Sequence, residues 1–176
     1  MWLSSRELWT TIHGMGLGAG FLLLFTGTWA LLWGIRSGWV TTVGIEVHRR
    51  LASTVAWLMA AFAWLTVIVG TYIPYIWYRA IPPDGADLTK FPRSYLLAHP
   101  NLAMLHSFGM EWKEHVAWLA PLLATAAAYL ISRFAPRMAE DSKLRNAGLT
   151  LLTLAFAAAA VAGMLGAFLT KAAPVH

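Results

Sequence analysis

The chain has 176 residues, of which 59% are hydrophobic and only 12% are charged. Soluble domains carry about 25% charged residues, so this composition excludes an ordinary soluble fold. The net charge of +5 does not indicate nucleic-acid binding, because the Lys and Arg residues lie in short segments beside apolar stretches. The absence of cysteine excludes disulfides, thiolate metal sites and covalently attached c-type haem.

Four stretches of the sequence contain no charged residue. They cover residues 8–35, 51–78, 115–132 and 146–170. Crossing a bilayer core takes about 20 apolar helical residues, and only the third stretch is slightly short of that length. We therefore predict an all-α, polytopic membrane protein in which residues 1–176 form a single domain, a bundle of four transmembrane helices.

The basic residues predict the orientation of these helices. Arg36, Arg49 and Arg50 lie between the first two stretches, and four more Lys or Arg residues lie between the last two. Lys and Arg accumulate on the cytoplasmic side of membranes. Both termini and the long connection 79–114 are therefore expected outside, which in a bacterial inner membrane is the periplasm.

The connection 79–114 is the only sizeable part of the sequence outside the predicted spans. Its prolines stiffen it, and Phe91, Tyr95, Leu96 and Leu97 could anchor a partner protein if they face water. Long ordered loops usually carry function, so we expect this loop to dock another subunit or a periplasmic protein. The alternative is that these side chains fold back onto the bilayer or the helix ends.

Six histidines occur, and the first, His13, begins a glycine-rich part of the first stretch. Ionisable side chains inside a membrane are costly and indicate functional sites. Gly16 and Gly20 follow at i+3 and i+7, so an α-helix presents the imidazole and both glycines on one face. Small residues make room for a porphyrin, and we predict that His13 ligates one non-covalent haem b near the outer face. Close helix packing is the alternative explanation for the glycines.

The second haem ligand is expected near the third span, where His106 and His115 lie on the same side of the membrane as His13. They are nine positions apart, about 180° around an ideal helix, so both cannot point into the bundle. His115 is deeper in the apolar stretch and is the preferred ligand. His106 is expected to face water, and becomes the ligand only if Gly109 breaks the helix.

A metal site without haem is the chemical alternative at the same place. Glu111 and His115 stand at i and i+4, and Glu114 is adjacent. With His106 and His13 nearby, these groups offer nitrogen and oxygen ligands for iron, zinc or copper. The two carboxylates could equally be solvated charges at the membrane surface.

Two short patterns carry a resemblance to a known family. His13-Gly14 opens one glycine-rich span, and the run from Val47 to Leu51, with His48 inside it, opens another that ends near Gly70. This arrangement resembles the four-to-six-helix membrane b-type cytochromes. The resemblance implies transmembrane electron transfer with quinone or a periplasmic redox partner. The chain departs from two-haem members because His48 has no second histidine at the cytoplasmic helix ends.

We therefore expect an integral membrane electron-transfer subunit that binds one haem b and exchanges electrons with quinone or a periplasmic cytochrome. It would sit in the lipid bilayer within a larger complex, as a redox subunit rather than a stand-alone enzyme. The alternative is a cofactor-free accessory subunit that helps to hold a respiratory or photosynthetic complex together.

Overall fold

A computed structural model describes residues 3–36 and 41–173, with the side chain of Thr42 excepted. Within these ranges the chain is helical and contains no strand. Four helices are long and apolar enough to cross a membrane, and we call them spans 1 to 4: Ser5–Gly34, Val43–Tyr78, Leu105–Met138 and Ser142–Ala172. The all-α fold with four membrane-spanning helices is confirmed.

Span 1 consists of an α-helix, Ser5–Thr11, a π-helical turn, Ile12–Leu17, and a second α-helix, Gly18–Gly34. Ser4 begins it with a capping box, because its hydroxyl accepts from the Glu7 amide and the Glu7 carboxylate accepts from the Ser4 amide. A cap of this kind satisfies N–H groups that lack a partner in the first turn. Span 1 therefore starts before the charge-free stretch.

Span 2 contains an α-helix, Thr42–Tyr72, followed by a short helix, Pro74–Tyr78. Pro74 cannot donate a backbone hydrogen bond, which accounts for the interruption before it. The span begins well before residue 51, because Glu46 forms ion pairs with Arg49 and Arg50 at 2.7 Å on the same helix. Such pairs, three and four residues apart, extend a helix into the polar region.

Span 3 is the least regular of the four. It begins at Leu105 rather than at residue 115, with a π-helical turn, Leu105–Met110, a short α-helix, Glu111–His115, and a longer one, Leu119–Met138. Span 4 is one continuous α-helix, and the Asp141 carboxylate caps it by accepting from the Lys143 amide at 2.8 Å.

The connection before span 3 contains a 3₁₀ turn, Leu88–Lys90, and a helix, Pro92–Ala98. Asp87 caps the turn, and hydrogen bonds from the Thr89 hydroxyl and amide lower the pKa of its carboxyl. Leu96 is fully buried in a cluster with Tyr78, Met110, Leu169 and Ala173, against which Tyr95 packs.

Of the four predicted anchors, only Leu97 is exposed, at 45% of its surface. Phe91 and Tyr95 are half-buried, and Leu96 has no exposed surface. Leu97 is thus the one exposed side chain of the four, and the docking of a partner by this loop stays a prediction. Folding back onto the helix ends is what the structure shows for Leu96 and Tyr95, because burial removes their apolar surface from water.

The described chain divides into two compact units. Unit one contains residues 3–18, 65–118 and 159–173, and unit two contains residues 19–64 and 119–158. In unit two, the Ser132 hydroxyl hydrogen-bonds to Ser53 at 2.7 Å and accepts from the Trp57 indole at 2.8 Å. His48 makes a local contact with the Gly44 carbonyl at 3.0 Å. That the whole chain forms one transmembrane domain stays a prediction.

Candidate functional site

His13 lies in the π-helical turn of span 1, within unit one. Its Nδ1 atom is completely buried and has no hydrogen-bond partner among the described residues. The imidazole packs directly on Gly70 of span 2, where both ring nitrogens lie 3.0 Å from the position that a Cβ would occupy. Only glycine leaves room for the ring at this point. Span 1 thus places a histidine with a free buried nitrogen inside unit one.

His106 lies in the π-helical turn of span 3 and is only 9% exposed. Its Nδ1 atom lies 2.9 Å from the Tyr78 hydroxyl, and its Nε2 atom accepts a long contact of 3.4 Å from Arg93 Nε. The Tyr78 bond fixes the ring and leaves Nε2 with only the weaker contact. In metal sites, a histidine commonly ligates through one nitrogen while the other is held by such a bond.

His115 is exposed instead. Its side chain is 72% exposed, and its Nδ1 atom lies 2.9 Å from the Glu111 carbonyl oxygen, one turn earlier. Only one of the two histidines is therefore buried. The expectation about which of them faces inward was wrong, because His106 is buried and His115 is exposed.

The two glycines predicted to share a face with His13 have different surroundings. Gly16 is exposed, and nothing lies within 4 Å of its Cβ position. Gly20 belongs to unit two, where the Phe62 ring occupies the space beside it. The π-helical turn Ile12–Leu17 contains both His13 and Gly16, and its i to i+5 bonding shifts the register that a regular α-helix would keep.

Lys113 was not among the residues predicted for the site. Its ammonium group lies against Gly166 of span 4, with Nζ 2.6 Å from the Cβ position of that glycine. The sequence does show a lysine between two glutamates, close to a histidine. The position of the Lys113 side chain, however, depends on Gly166, which lies far along the chain.

Two neighbours of Lys113 also carry buried polar atoms without hydrogen-bond partners among the described residues, namely Trp112 Nε1 and Glu114 Oε1. The Glu114 carboxylate interacts with the Tyr75 hydroxyl, which accepts a 2.8 Å hydrogen bond from Arg79. Buried polar groups without partners are uncommon and call for a physical reason. Unit one therefore concentrates polar groups inside otherwise apolar spans.

Three of the residues predicted for the alternative metal site lie close together in the structure. Glu111, Glu114 and His115 each offer a ligand atom, and these atoms lie within 4.8 Å of one another. No other such group occurs among the residues that the structure describes. His13 and His106 do not belong to it. Arg79 interacts electrostatically with both glutamates, so their charge is already partly balanced.

The predicted ligation of one haem b by His13 and His115 stays a prediction. No protein-family model, curated protein or solved structure matches this chain significantly. The site must therefore be interpreted from its own residues.

Proposed function

We propose that this protein is an integral membrane electron-transfer subunit that binds one haem b, with His13 and His106 as axial ligands. The observation that carries the proposal is that both histidines lie in π-helical turns of the same compact unit. A single π turn inside an α-helix is rare and occurs frequently at functional sites. His115 lies in a regular α-helix and is exposed, so the structure favours His106 over it.

The nitrogen atoms of both rings suit this role. His13 Nδ1 is buried and free, and a neutral imidazole nitrogen in that state is a good ligand for haem iron. His106 Nδ1 is held by Tyr78, which orients Nε2 as the ligand atom. Ligation through Nε2 would replace the 3.4 Å contact from Arg93. A bound haem would supply one-electron redox chemistry.

The basic residues of the chain support a membrane and an orientation for such a subunit. We propose a bacterial inner membrane with both termini in the periplasm, because basic residues are concentrated where span 1 ends and span 2 begins, and where span 3 ends and span 4 begins. Quinone or a periplasmic cytochrome would exchange electrons with the haem. Other membrane subunits would complete the complex.

A cofactor-free accessory subunit is the second candidate, and one observation favours it. The His13 ring occupies the space over Gly70, and the Lys113 side chain occupies the space over Gly166. Small residues that receive a side chain from another helix are a common means of packing membrane helices. On this account the polar groups hold the spans together and bind nothing else.

A haem assay separates the two candidates. The purified, detergent-solubilised protein should give a Soret band and a pyridine haemochrome spectrum of haem b at about one haem per chain. Expression should be repeated with added haem precursor, so that limited supply does not lower the ratio. A monodisperse protein without haem under both conditions would contradict the proposed function and support the accessory subunit.

A further inference from the structure

The short α-helix Glu111–His115 brings two carboxylates and one imidazole together at the charged end of span 3. Residues three and four positions apart share a face of a helix, so Glu114 and His115 both stand beside Glu111. Nδ1 of His115 lies 3.8 Å from Oε2 of Glu111, and one ligand atom from each of the three residues lies within 4.8 Å of the other two. The side chains of Glu111 and His115 are 49% and 72% exposed, so an ion can reach the cluster from outside the protein.

The negative charge of this cluster is incompletely balanced. Neither carboxylate forms an ion pair with a lysine or an arginine in the part of the chain that the structure describes. Arg79 interacts electrostatically with both, but it donates its hydrogen bond to the Tyr75 hydroxyl at 2.8 Å. Oε1 of Glu114 is completely buried and has no hydrogen-bond partner among the described residues. A buried carboxylate oxygen without a partner is costly, and a bound cation would remove that cost.

The three side chains indicate which kind of cation would bind. Carboxylate oxygens alone suit magnesium or calcium, whereas an imidazole nitrogen beside them suits first-row transition metals such as zinc. Zinc bonds of about 2.0 to 2.2 Å separate the ligand atoms of a tetrahedral site by roughly 3.3 to 3.6 Å. The 3.8 Å between Glu111 and His115 is close to that spacing. Binding through Nδ1 of His115 would replace its 2.9 Å contact with the Glu111 carbonyl oxygen.

We propose that Glu111, Glu114 and His115 bind one divalent transition-metal cation, for which zinc is the probe. Three protein ligands would leave a fourth position of a tetrahedral ion to water. The site shares no residue with the proposed haem ligands and does not require haem binding. Because all three ligands lie within about one turn, the ion would also fix the helix Glu111–His115, which residues 116–118 separate from the next helix.

A zinc titration tests the proposal. Protein purified in detergent with a tag that contains no histidine would be stripped with EDTA and titrated with zinc chloride by calorimetry, with and without excess magnesium. Wild type should bind one zinc per chain, and magnesium should not displace it, because magnesium prefers sites made only of oxygen. The absence of saturable zinc binding, or its displacement by magnesium, would overturn the proposal.

Variants then assign the zinc to this cluster. Loss of a group that merely orients a ligand lowers metal affinity about 10- to 100-fold, so His115→Ala and Glu114→Gln should each weaken zinc binding at least about tenfold. His99→Ala is the matched control, because His99 is another exposed histidine of unit one, and its zinc affinity should remain that of wild type. Equal affinities in wild type and His115→Ala would place the zinc elsewhere and refute the proposal. The haem content of the same samples reports on the proposed function separately.

Discussion

The Tyr78 hydroxyl lies 2.9 Å from Nδ1 of His106, and this bond joins the end of span 2 to the π-helical turn of span 3. Both residues are buried, at 6% and 9% exposure. The contact explains why His106 faces inward although it precedes the charge-free stretch. Its ring nitrogens find polar partners in Tyr78 and Arg93, so burial leaves neither of them unpaired.

Replacing Tyr78 with Phe should destabilise the protein. The substitution keeps the ring but leaves Nδ1 of His106 buried without its partner, which costs about 1 to 3 kcal/mol. Thermal unfolding in detergent, followed by circular dichroism, would measure the loss. Tyr72→Phe is the control, because Tyr72 is exposed and its loss should change little. Equal melting temperatures for Tyr78→Phe and wild type would show that the bond does not stabilise the fold.

Gly70→Ala should also be destabilising, because its methyl group would collide with the His13 ring. Overpacking of this kind costs about 1 to 3 kcal/mol. The Cβ position of Gly163 has no neighbour within 4 Å, so Gly163→Ala should leave stability unchanged or raise it. Combining Gly70→Ala with His13→Ala should recover part of the loss. The packing of His13 on Gly70 would be disproved by a Gly70→Ala protein as stable as Gly163→Ala.

Two adjacent leucines test how the connection before span 3 packs. Leu96→Ala should cost about 2 to 5 kcal/mol, because it removes a fully buried side chain from the cluster around Tyr78 and Met110. Leu97→Ala removes an exposed one and should change stability by no more than about 0.5 kcal/mol. Comparable losses for the two variants would contradict the folded-back arrangement.

Much of the fold follows from the sequence. Charge-free stretches predict the four spans because a bilayer excludes unpaired charge. The predicted spans were too short at ends where charged side chains pair with each other along the helix, as Glu46 does with Arg49 and Arg50. These pairs stand three and four residues apart and were readable in advance.

The site was less predictable, because it depends on residues far apart in the chain. Spacing alone predicted that His106 and His115 cannot both point inward, and in the structure His106 is buried and His115 is exposed. The burial of His106 rather than His115 depends on Tyr78 and Arg93, which are 28 and 13 positions from His106 in the sequence. The π-helical turns have no recognisable signal in the sequence, and the turn in span 1 changes which residues share a face with His13.

The predicted orientation can be tested directly, because the chain has no native cysteine. Single cysteines at Asp84 and at Ser142, both exposed, would be labelled in intact cells with a maleimide that does not cross membranes. Periplasmic termini require labelling at position 84 and protection at position 142 until the cells are opened. The reverse pattern would invert the orientation.

The most direct test of haem ligation is the haem content of three single variants, His13→Ala, His106→Ala and His115→Ala, each purified and checked for a monodisperse profile. Ligation by His13 and His106 predicts that the first two lose or sharply weaken the Soret band and that His115→Ala keeps it with wild-type stoichiometry. A fully loaded His13→Ala protein, or a band lost only in His115→Ala, would contradict the account.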